Sequence, residues 1–368
     1  MAYAAKALEV RRLSKAFDGE GGVRSVDFDL AQAEVVSLLG PSGCGKTTTL
    51  RCIAGFYKPD AGSISIGGTL VAAPGVFVPP EDRRIAMVFQ NYVLWPHMTA
   101  FANVAYGLRL RRVGKDDIAR RVDEVMALLG LSGLAQRYPH ELSGGQQQRV
   151  SVARSLVVRP KVLLLDEPFS NLDAKLRIEM RKEMRDLLRR LGISAVYVTH
   201  DQEEAMVISD RILLMDAGEL VEQGTPFDLF EKPRTRFAAS FFGVANLVPG
   251  IVRRRDGGLV LELDALDTFI ALPGGCDGVE GDARVLGLRH DEVEVRPGSD
   301  APAGWIRGQI ESRCYIGRAV DLEVRIGPRH ALHCRVDDAR AVDWPDDVVV
   351  RLVPDRAVLL RGDEANAP

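Results

Sequence analysis

Between Leu8 and about Gly243, short apolar runs alternate with stretches whose apolar positions recur every three or four residues. The runs are Val35–Leu39, Ile85–Phe89, Lys161–Leu165, Ala195–Thr199 and Arg211–Met215, each ending in a polar or glycine-containing turn. Runs this short and this apolar predict strands buried on both faces of a mostly parallel sheet, with helices between them. Lys115–Leu129 predicts a helix with Ile118, Val122, Val125, Met126 and Leu129 on one face and Gly130 as its C-terminal cap. Asp173–Leu191 predicts another, with a stripe of Leu176, Met180, Met184, Leu187 and Leu191 that reads as core packing, stopped at Gly192. The strand signal disappears between Asn91 and Pro160, which predicts a helical subdomain inserted over about residues 91–160. Beyond Asn246 the pattern shortens to alternating runs, Leu259–Leu263, Val285–Leu288, Ala319–Ile326 and Val348–Val353, separated by Gly, Pro and Asp. That spacing predicts a small β-barrel or sandwich. The expected division is therefore an α/β domain over 1–243 and a β-rich domain over 244–368, with Gly362–Pro368 fraying.

Length agrees with two domains, because 368 residues exceed the roughly 250–300 at which one core stops growing. The apolar share of 46% and charged share of 27% are those of an ordinary globular protein. No apolar run approaches the roughly 18–20 residues of a membrane-spanning helix. Charges interrupt every apolar run in the first dozen residues, so no secretory signal is read and the chain is expected in the cytosol. A net charge of −3 supplies no basic field and argues against nucleic acid as a partner. The cluster Arg109-Leu110-Arg111-Arg112 reads as one solvated helix face. Cys44, Cys52, Cys276, Cys314 and Cys334 are odd in number and include no Cys-x-x-Cys pair, so reduced structural thiols are expected.

The chemistry concentrates in three stretches. Gly40-Pro41-Ser42-Gly43-Cys44-Gly45-Lys46-Thr47 follows a strand and opens a helix at Thr48-Thr49-Leu50, the context a phosphate-binding loop requires. Its glycines let successive N–H groups converge on phosphate oxygens, with the helix terminus adding positive potential. Lys46 is expected to neutralise β- and γ-phosphates, and Thr47 to hold Mg²⁺ through its hydroxyl. Val162-Leu163-Leu164-Leu165-Asp166-Glu167-Pro168 ends a doubly buried strand in two carboxylates, whose desolvation must be offset by a cation or a reaction. Asp166 suits a metal shell and Glu167 suits polarising a water. In Leu142-Ser143-Gly144-Gly145-Gln146-Gln147-Gln148-Arg149, two glycines at a helix start expose N–H groups and Ser143 adds a hydroxyl, a second anion surface distinct from Lys46. Gln147 and Gln148 suit a merely polar helix face better than Gln146 does. His97 and His140 stand alone, and His330 and His333 fall in a strand-like run that points them to opposite faces.

These stretches resemble the ABC ATPase family, and the likeness runs from Phe17 to about Gly243 with the motifs in order. The resemblance implies a P-loop NTPase fold, with Phe17 stacking on adenine, Gln90 as the Q-loop glutamine reaching Mg²⁺, Leu142 to Gln146 as the signature, and Asp166 and Glu167 as the second Walker motif. It further implies Ser170-Asn171-Leu172-Asp173 as the D-loop and His200 as the switch histidine at the γ-phosphate. Taken singly, Phe17 reads as core, His200 as a loop histidine and Gln90 as a strand-terminal amide. The family likeness implies a homodimer holding two ATP molecules between one copy's phosphate loop and the other's signature. It also implies two separate transmembrane permease subunits, and a periplasmic or surface solute-binding protein as an indirect partner. The subunit would then lie on the cytoplasmic face of the inner membrane. Tyr92 and Leu94, beside Gln90, are candidates for the surface on which a permease helix docks, with ordinary core packing as the alternative.

Cys314-Tyr315-Ile316-Gly317-Arg318-Ala319-Val320-Asp321-Leu322-Glu323-Val324 and Val348-Val349-Val350-Arg351-Leu352-Val353-Pro354-Asp355 resemble the oligomer-binding-fold accessory domain of importer ATPases for polyamines, ferric iron, thiosulfate and sugars. At Gly287-Leu288-Arg289-His290-Asp291 the chain departs from that pattern, which has proline and an acid after the arginine. Val78-Pro79-Pro80-Glu81-Asp82-Arg83-Arg84 and Leu94-Trp95-Pro96-His97-Met98-Thr99 look closest to the ferric-iron and polyamine branch. Sugar or thiosulfate/sulfate import is the alternative, and a soluble ABC ATPase without transport is a third class. Long heptads or a zinc module would mark a DNA-maintenance ATPase, and a second ATPase domain would mark a translation factor; neither is found.

Overall fold

The computed structural model describes residues 6–17, 21–255, 258–263, 268–272, 279–327, 330–353 and 357–361. Cys276 and the expected frayed end, 362–368, lie outside them. Packing divides the chain into Met1–Pro226 and Phe227–Pro368.

The first unit opens on β1 (Lys6–Ala16), β2 (Gly22–Ala31) and β3 (Val35–Leu39), followed by α1 (Lys46–Ala54). Then come β4 (Ala61–Ile66), β5 (Thr69–Ala73), β6 (Val76–Phe77) and β7 (Ile85–Val88). The insert holds α2 (Ala100–Leu110), α3 (Lys115–Leu128) and α4 (Gly144–Leu156). The unit closes through β8 (Val162–Asp166), α5 (Ala174–Leu191), β9 (Ala195–Thr199), α6 (Gln202–Ile208), β10 (Arg211–Asp216) and β11 (Glu219–Gly224).

The main sheet has the order β11-β10-β3-β9-β8-β7. Four of its five pairings run parallel, and at one edge β11 joins β10 antiparallel. Every residue of β3, β8 and β9 is buried. Period-2 alternation deals them to two cores: Leu163, Leu165 and Tyr197 pack with α2–α5, and Val162, Leu164 and Val198 pack with α1 and β1, β2 and β4. That second layer is a sheet of order β2-β1-β4-β5-β6, antiparallel throughout, which the sequence pattern does not predict. Register shifts on both sides of β1 near Arg11–Ser14, with Arg12 at φ 45°, break the alternation that would have revealed it.

α3 buries Ile118, Val122, Val125 and Met126, and its end is Leu129 followed by Gly130 at φ 67°. Asp173 caps α5 by accepting from the Leu176 N–H at 3.0 Å, and Gly192 closes it in the left-handed conformation. The buried stripe of α5 is Met180, Met184, Leu187 and Leu188; Leu191, expected on it, is exposed because Leu188 takes the inward position one turn after Met184.

Arg83 ties the sheet layer to α1. Its guanidinium is buried, donating to the carbonyls of Cys52 (2.7 Å), Ile53 (2.9 Å) and Val78 (2.8 Å). Two of these are carbonyls of the last helical turn, where the i+4 donors run out and the Gly55 N–H reaches back to Arg51 and Cys52. Gly55 is glycine for this reason: its φ is 89°, and a Cβ there would lie 2.6 Å from Arg83 Nε.

The second unit begins with α7 (Pro226–Glu231) and α8 (Arg236–Phe241), and among the described residues ten strands follow. They are β12 (Val244–Arg255), β13 (Gly258–Leu263), β14 (Thr268–Ala271), β15 (Ala283–Arg289), β16 (Val293–Pro297), β17 (Ile306–Tyr315), β18 (Val320–Ile326), β19 (His330–Val336), β20 (Asp347–Leu352) and β21 (Val358–Arg361). Two five-stranded antiparallel sheets, β14-β13-β12-β15-β21 and β16-β20-β17-β18-β19, share one core, the β-rich architecture expected. Packing places 227–243 with this unit, earlier than the break expected at 243, since Ala239 packs with Val244, Val285, Val358 and Leu360. Arg289, at the departure from the family pattern, lies 4.1 Å over the Phe230 ring and 3.5 Å from Glu292, an internal tie of this unit. His330 and His333 sit on β19 opposite Ile326 and Glu323, on alternate faces.

Replacing Arg83 by Met should remove the side-chain donors to the Cys52, Ile53 and Val78 carbonyls, at a cost of about 2–4 kcal/mol. Urea unfolding followed by circular dichroism checks this, and an unchanged midpoint would show that the arginine is dispensable.

Candidate functional site

The site forms where β3 and β8 end side by side around β9. After Leu39 the chain turns sharply at Gly40, where a Cβ would meet the Met215 carbonyl oxygen at 2.1 Å. Gly45, at φ 102°, lies against Val23 and the Gly22 carbonyl, so its Cβ would collide at 2.6 and 2.7 Å. Pro41, Ser42 and Gly43 between them are exposed, while Cys44 is buried and burial pushes its thiol pKa up against the opposing pull of Lys46. Lys46 is buried, and its ammonium donates to the Gly40 and Pro41 carbonyls at 2.7 Å each. The loop thus keeps a cation at its own mouth. Thr47 and Thr48 follow, half-buried, on the first turn of α1.

The Thr47 hydroxyl donates to Asp166 Oδ1 at 3.3 Å. Asp166 is buried, and desolvation raises its carboxyl pKa, opposed by Arg51, the Thr47 hydrogen bond and Lys46 while Glu167 adds to the rise. Glu167 takes a left-handed backbone (φ 43°) as its N–H donates to the Val198 carbonyl at 3.0 Å. This strain turns its carboxylate away from the sheet. Gln90 Nε2 donates to Glu167 Oε2 at 3.4 Å, and His200 Nδ1 lies 3.1 Å from Glu167 Oε1. Gln90, Glu167 and His200, which come from three separate strand ends, are therefore one cluster.

Asn171 completes it, its amide donating to the Gln90 carbonyl at 3.0 Å and to Asn91 Oδ1 at 3.1 Å. Beyond Gln90, Tyr92 and Val93 are consecutive left-handed residues, φ 55° and 46°. Their carbonyls are clamped by α4: Arg154 donates to Val93 at 2.7 Å and to Tyr92 at 2.9 Å, and Ser151 donates to Tyr92 at 3.0 Å. Neither Ser151 nor Arg154 carries a sequence signal of this role, since both read as ordinary positions of a helix. Tyr92, expected on a docking surface, is instead in the core, and Leu94 packs against it; Val93, 54% exposed, is the apolar side chain facing solvent here.

Ser143 caps α4, its hydroxyl accepting from the Gln146 N–H at 3.4 Å while Gln146 Oε1 accepts from the Ser143 N–H at 3.0 Å. Gly144 is exposed, whereas Gly145 is buried and would bring a Cβ to 3.3 Å from Leu176. Gln147 folds back to the Pro139 and Leu142 carbonyls. Gln148 is not part of a polar face: it is fully buried, because the core side of α4 passes through it. Among the described residues, no hydrogen bond or ion pair joins 143–146 to 40–48. Phe17 is 40% exposed, edge-on to Tyr57 at 5.3 Å with Lys15 above it at 5.5 Å, a surface aromatic rather than a core residue. Among the described residues no three His, Cys, Asp or Glu side chains gather as a metal site.

A phosphate loop on a doubly wound sheet, with a hydroxyl–carboxylate pair and an acid held between an amide and an imidazole, defines a P-loop ATPase. Residues 23–170 match the family described as ABC transporter, and residues 286–360 match the TOBE domain. The chain is 42% identical over 324 residues to the spermidine/putrescine import ATP-binding protein PotA of Aliivibrio fischeri, covering 88% of this chain and 86% of that protein. It is 44% identical over 318 residues to the Fe(3+) ions import ATP-binding protein FbpC of Rhizobium etli, covering 85% and 86%. To the trehalose/maltose import ATP-binding protein MalK of Thermococcus litoralis it is 53% identical over 331 residues, covering 88% and 86%. A solved structure, cbiO1 from Clostridium perfringens, part of the ABC transporter complex cbiONQ, superposes with TM-score 0.56 at 28% identity, covering 61% of this chain and 91% of that one. The chain belongs to the ATP-binding subunits of ABC importers, the ATP-hydrolysing family that works with membrane permeases. No helix among the described residues is long and apolar enough to cross a membrane.

Arg154→Ala should release the strained Tyr92–Val93 turn without unfolding β8. Hydrogen exchange is expected to accelerate at residues 91–95 and to stay slow at 162–166; equal protection in both segments would mean the clamp is not what holds the turn.

Proposed function

We propose that this chain binds Mg²⁺·ATP on residues 40–48 and hydrolyses it with Glu167 as the residue that orients and polarises the attacking water. The convergence of Gln90 and His200 on Glu167, next to the Thr47–Asp166 pair, carries the reading. Thr47 and Asp166 suit Mg²⁺, which commonly takes one carboxylate, one hydroxyl, substrate phosphates and water. A bound Mg²⁺ supplies positive charge to the phosphate oxygens. Lys46 adds its own charge there, His200 contacts the γ-phosphate, Gln90 senses both cation and water, and Phe17 offers its exposed ring to adenine. Ser143, Gly144, Gly145 and Gln146 serve the ATP of a second copy, making the working unit a homodimer.

The partners in this reading are two transmembrane permease subunits on the cytoplasmic side of the membrane, supplied by a solute-binding protein. Strained residues 92–93, tied to Gln90 on one side and to α4 on the other, are placed to carry permease contact to the ATP site. The solute we assign is a polyamine or ferric iron. A sugar is the second reading, favoured by the higher identity to the trehalose/maltose relative. The Val78–Arg84 segment does not separate them, since Arg83 is occupied in capping α1.

Glu167→Gln should keep ATP affinity in titration calorimetry while phosphate release falls about 10²–10⁴-fold. Lys46→Ala should weaken ATP binding itself by about 10-fold or more, the worth of a charge-assisted contact. Wild-type turnover in the first, or unchanged affinity in the second, would overturn the corresponding role.

A further inference from the structure

Beneath His200 lies a buried polar cluster that the phosphate site itself does not require. Tyr197 and Thr199 of β9 both donate to Glu204 Oε2, at 2.9 and 2.8 Å. Glu204, on α6, is 3% exposed. Arg181, buried on α5, places Nε 3.8 Å from Glu204 Oε1 and donates to Asp201 Oδ2 at 2.5 Å and Glu203 Oε2 at 2.7 Å. Asp201 accepts from the Glu204 N–H at 3.0 Å, and its own N–H donates to the Thr199 hydroxyl at 2.9 Å. His200 is the residue between Thr199 and Asp201, so both of its chain neighbours are fixed by this cluster while its ring faces Glu167.

Burying a guanidinium, a phenol and a carboxyl together costs more desolvation than their attraction readily returns, and an apolar core would serve stability as well. Burial does push the Glu204 carboxyl and the Tyr197 phenol up. What the cluster supplies is geometry. Its cation comes from α5, whose N-cap is Asp173. Just ahead of that cap, Asn171 holds the Gln90 carbonyl, and Arg181 follows about two turns along. The α5 segment, with Asn171 just ahead of its cap and Arg181 within it, therefore bears on the main chain that carries both Gln90 and His200.

We propose that Arg181 and Glu204 are positioning residues for His200, and that α5 is the rod that sets Gln90 and His200 at their spacing on Glu167. The proposal rests on the role given above to His200. It is tested on the full chain as wild type, Glu204→Gln, Arg181→Lys and Arg189→Ala, the last removing an exposed α5 cation that pairs with Asp210. Melting, ADP affinity and ATP turnover are measured together with the ¹⁵N-histidine spectrum, in which His200 is identified by its loss in His200→Ala. In Glu204→Gln the His200 resonance should move and kcat should fall about 10- to 100-fold, with KM for ATP held within about 2-fold. Arg181→Lys should do the same to a smaller degree and carries the test if Glu204→Gln does not fold. Arg189→Ala should change nothing. Combined with His200→Ala, Glu204→Gln should cause no further loss, because both act through one ring. An unmoved His200 resonance with unchanged kcat in a folded variant, or losses that multiply in the double variant, would overturn the proposal. Wild-type turnover in His200→Ala would contradict the role of His200 instead, and the resonance would still decide whether the cluster places the ring.

Discussion

Two carboxylates end a strand that has no solvent on either face, and the first unit is arranged around that constraint. The five residues of β8 are buried, so a charge at its end must find partners or lie where water reaches it. The chain resolves the pair by pointing the two acids different ways. Asp166 stays buried against the Thr47 hydroxyl and raises its pKa. Glu167 adopts a left-handed backbone and projects to Gln90 and His200. In the proposed reading one acid serves as a ligand and its neighbour as a base, a division that follows from their different environments.

The same constraint explains why the supporting contacts are backbone-directed. Gln90 is held by its carbonyl through Asn171, the turn after it by carbonyls through Ser151 and Arg154, and His200 by the residues flanking it. In the proposed reading the side chains of Gln90 and His200 are left to the ATP site, while the main chain about them is held by α4, by Asn171 ahead of α5 and by Thr199. Ser143–Gln146 opens α4, and Ser170–Asp173 leads into α5. Movement of either helix would therefore be felt at Glu167.

Much of this was legible in the sequence because the signals were local. Buried strands of five residues, a glycine loop with its lysine, and an acid pair after Leu165 each announce themselves within a dozen positions. The antiparallel layer was not legible, since the irregular register of β1 near Arg12 breaks its alternation. Tyr92 and Gln148 were misplaced for another reason. A polar or amphipathic residue beside a functional motif reads as exposed, and only packing shows that both sit in the core. Arg83, Arg154 and Arg181 were silent as well: each acts on groups brought near by the fold, and an isolated arginine has no periodicity to betray its partner.

The central claim is that each ATP site takes its phosphate loop from one copy and Ser143–Gln146 from another. It is tested most directly by mixing two defects. Lys46→Ala spoils only the loop and Ser143→Arg only the capped end of α4, so each alone should fail to hydrolyse ATP. Co-expressed with different tags and purified through both, the mixed pair should regain hydrolysis above the sum of the two variants, because one site then combines an intact loop with an intact α4 end. A mixed pair as inactive as its components, with both copies folded, would contradict a site shared between chains.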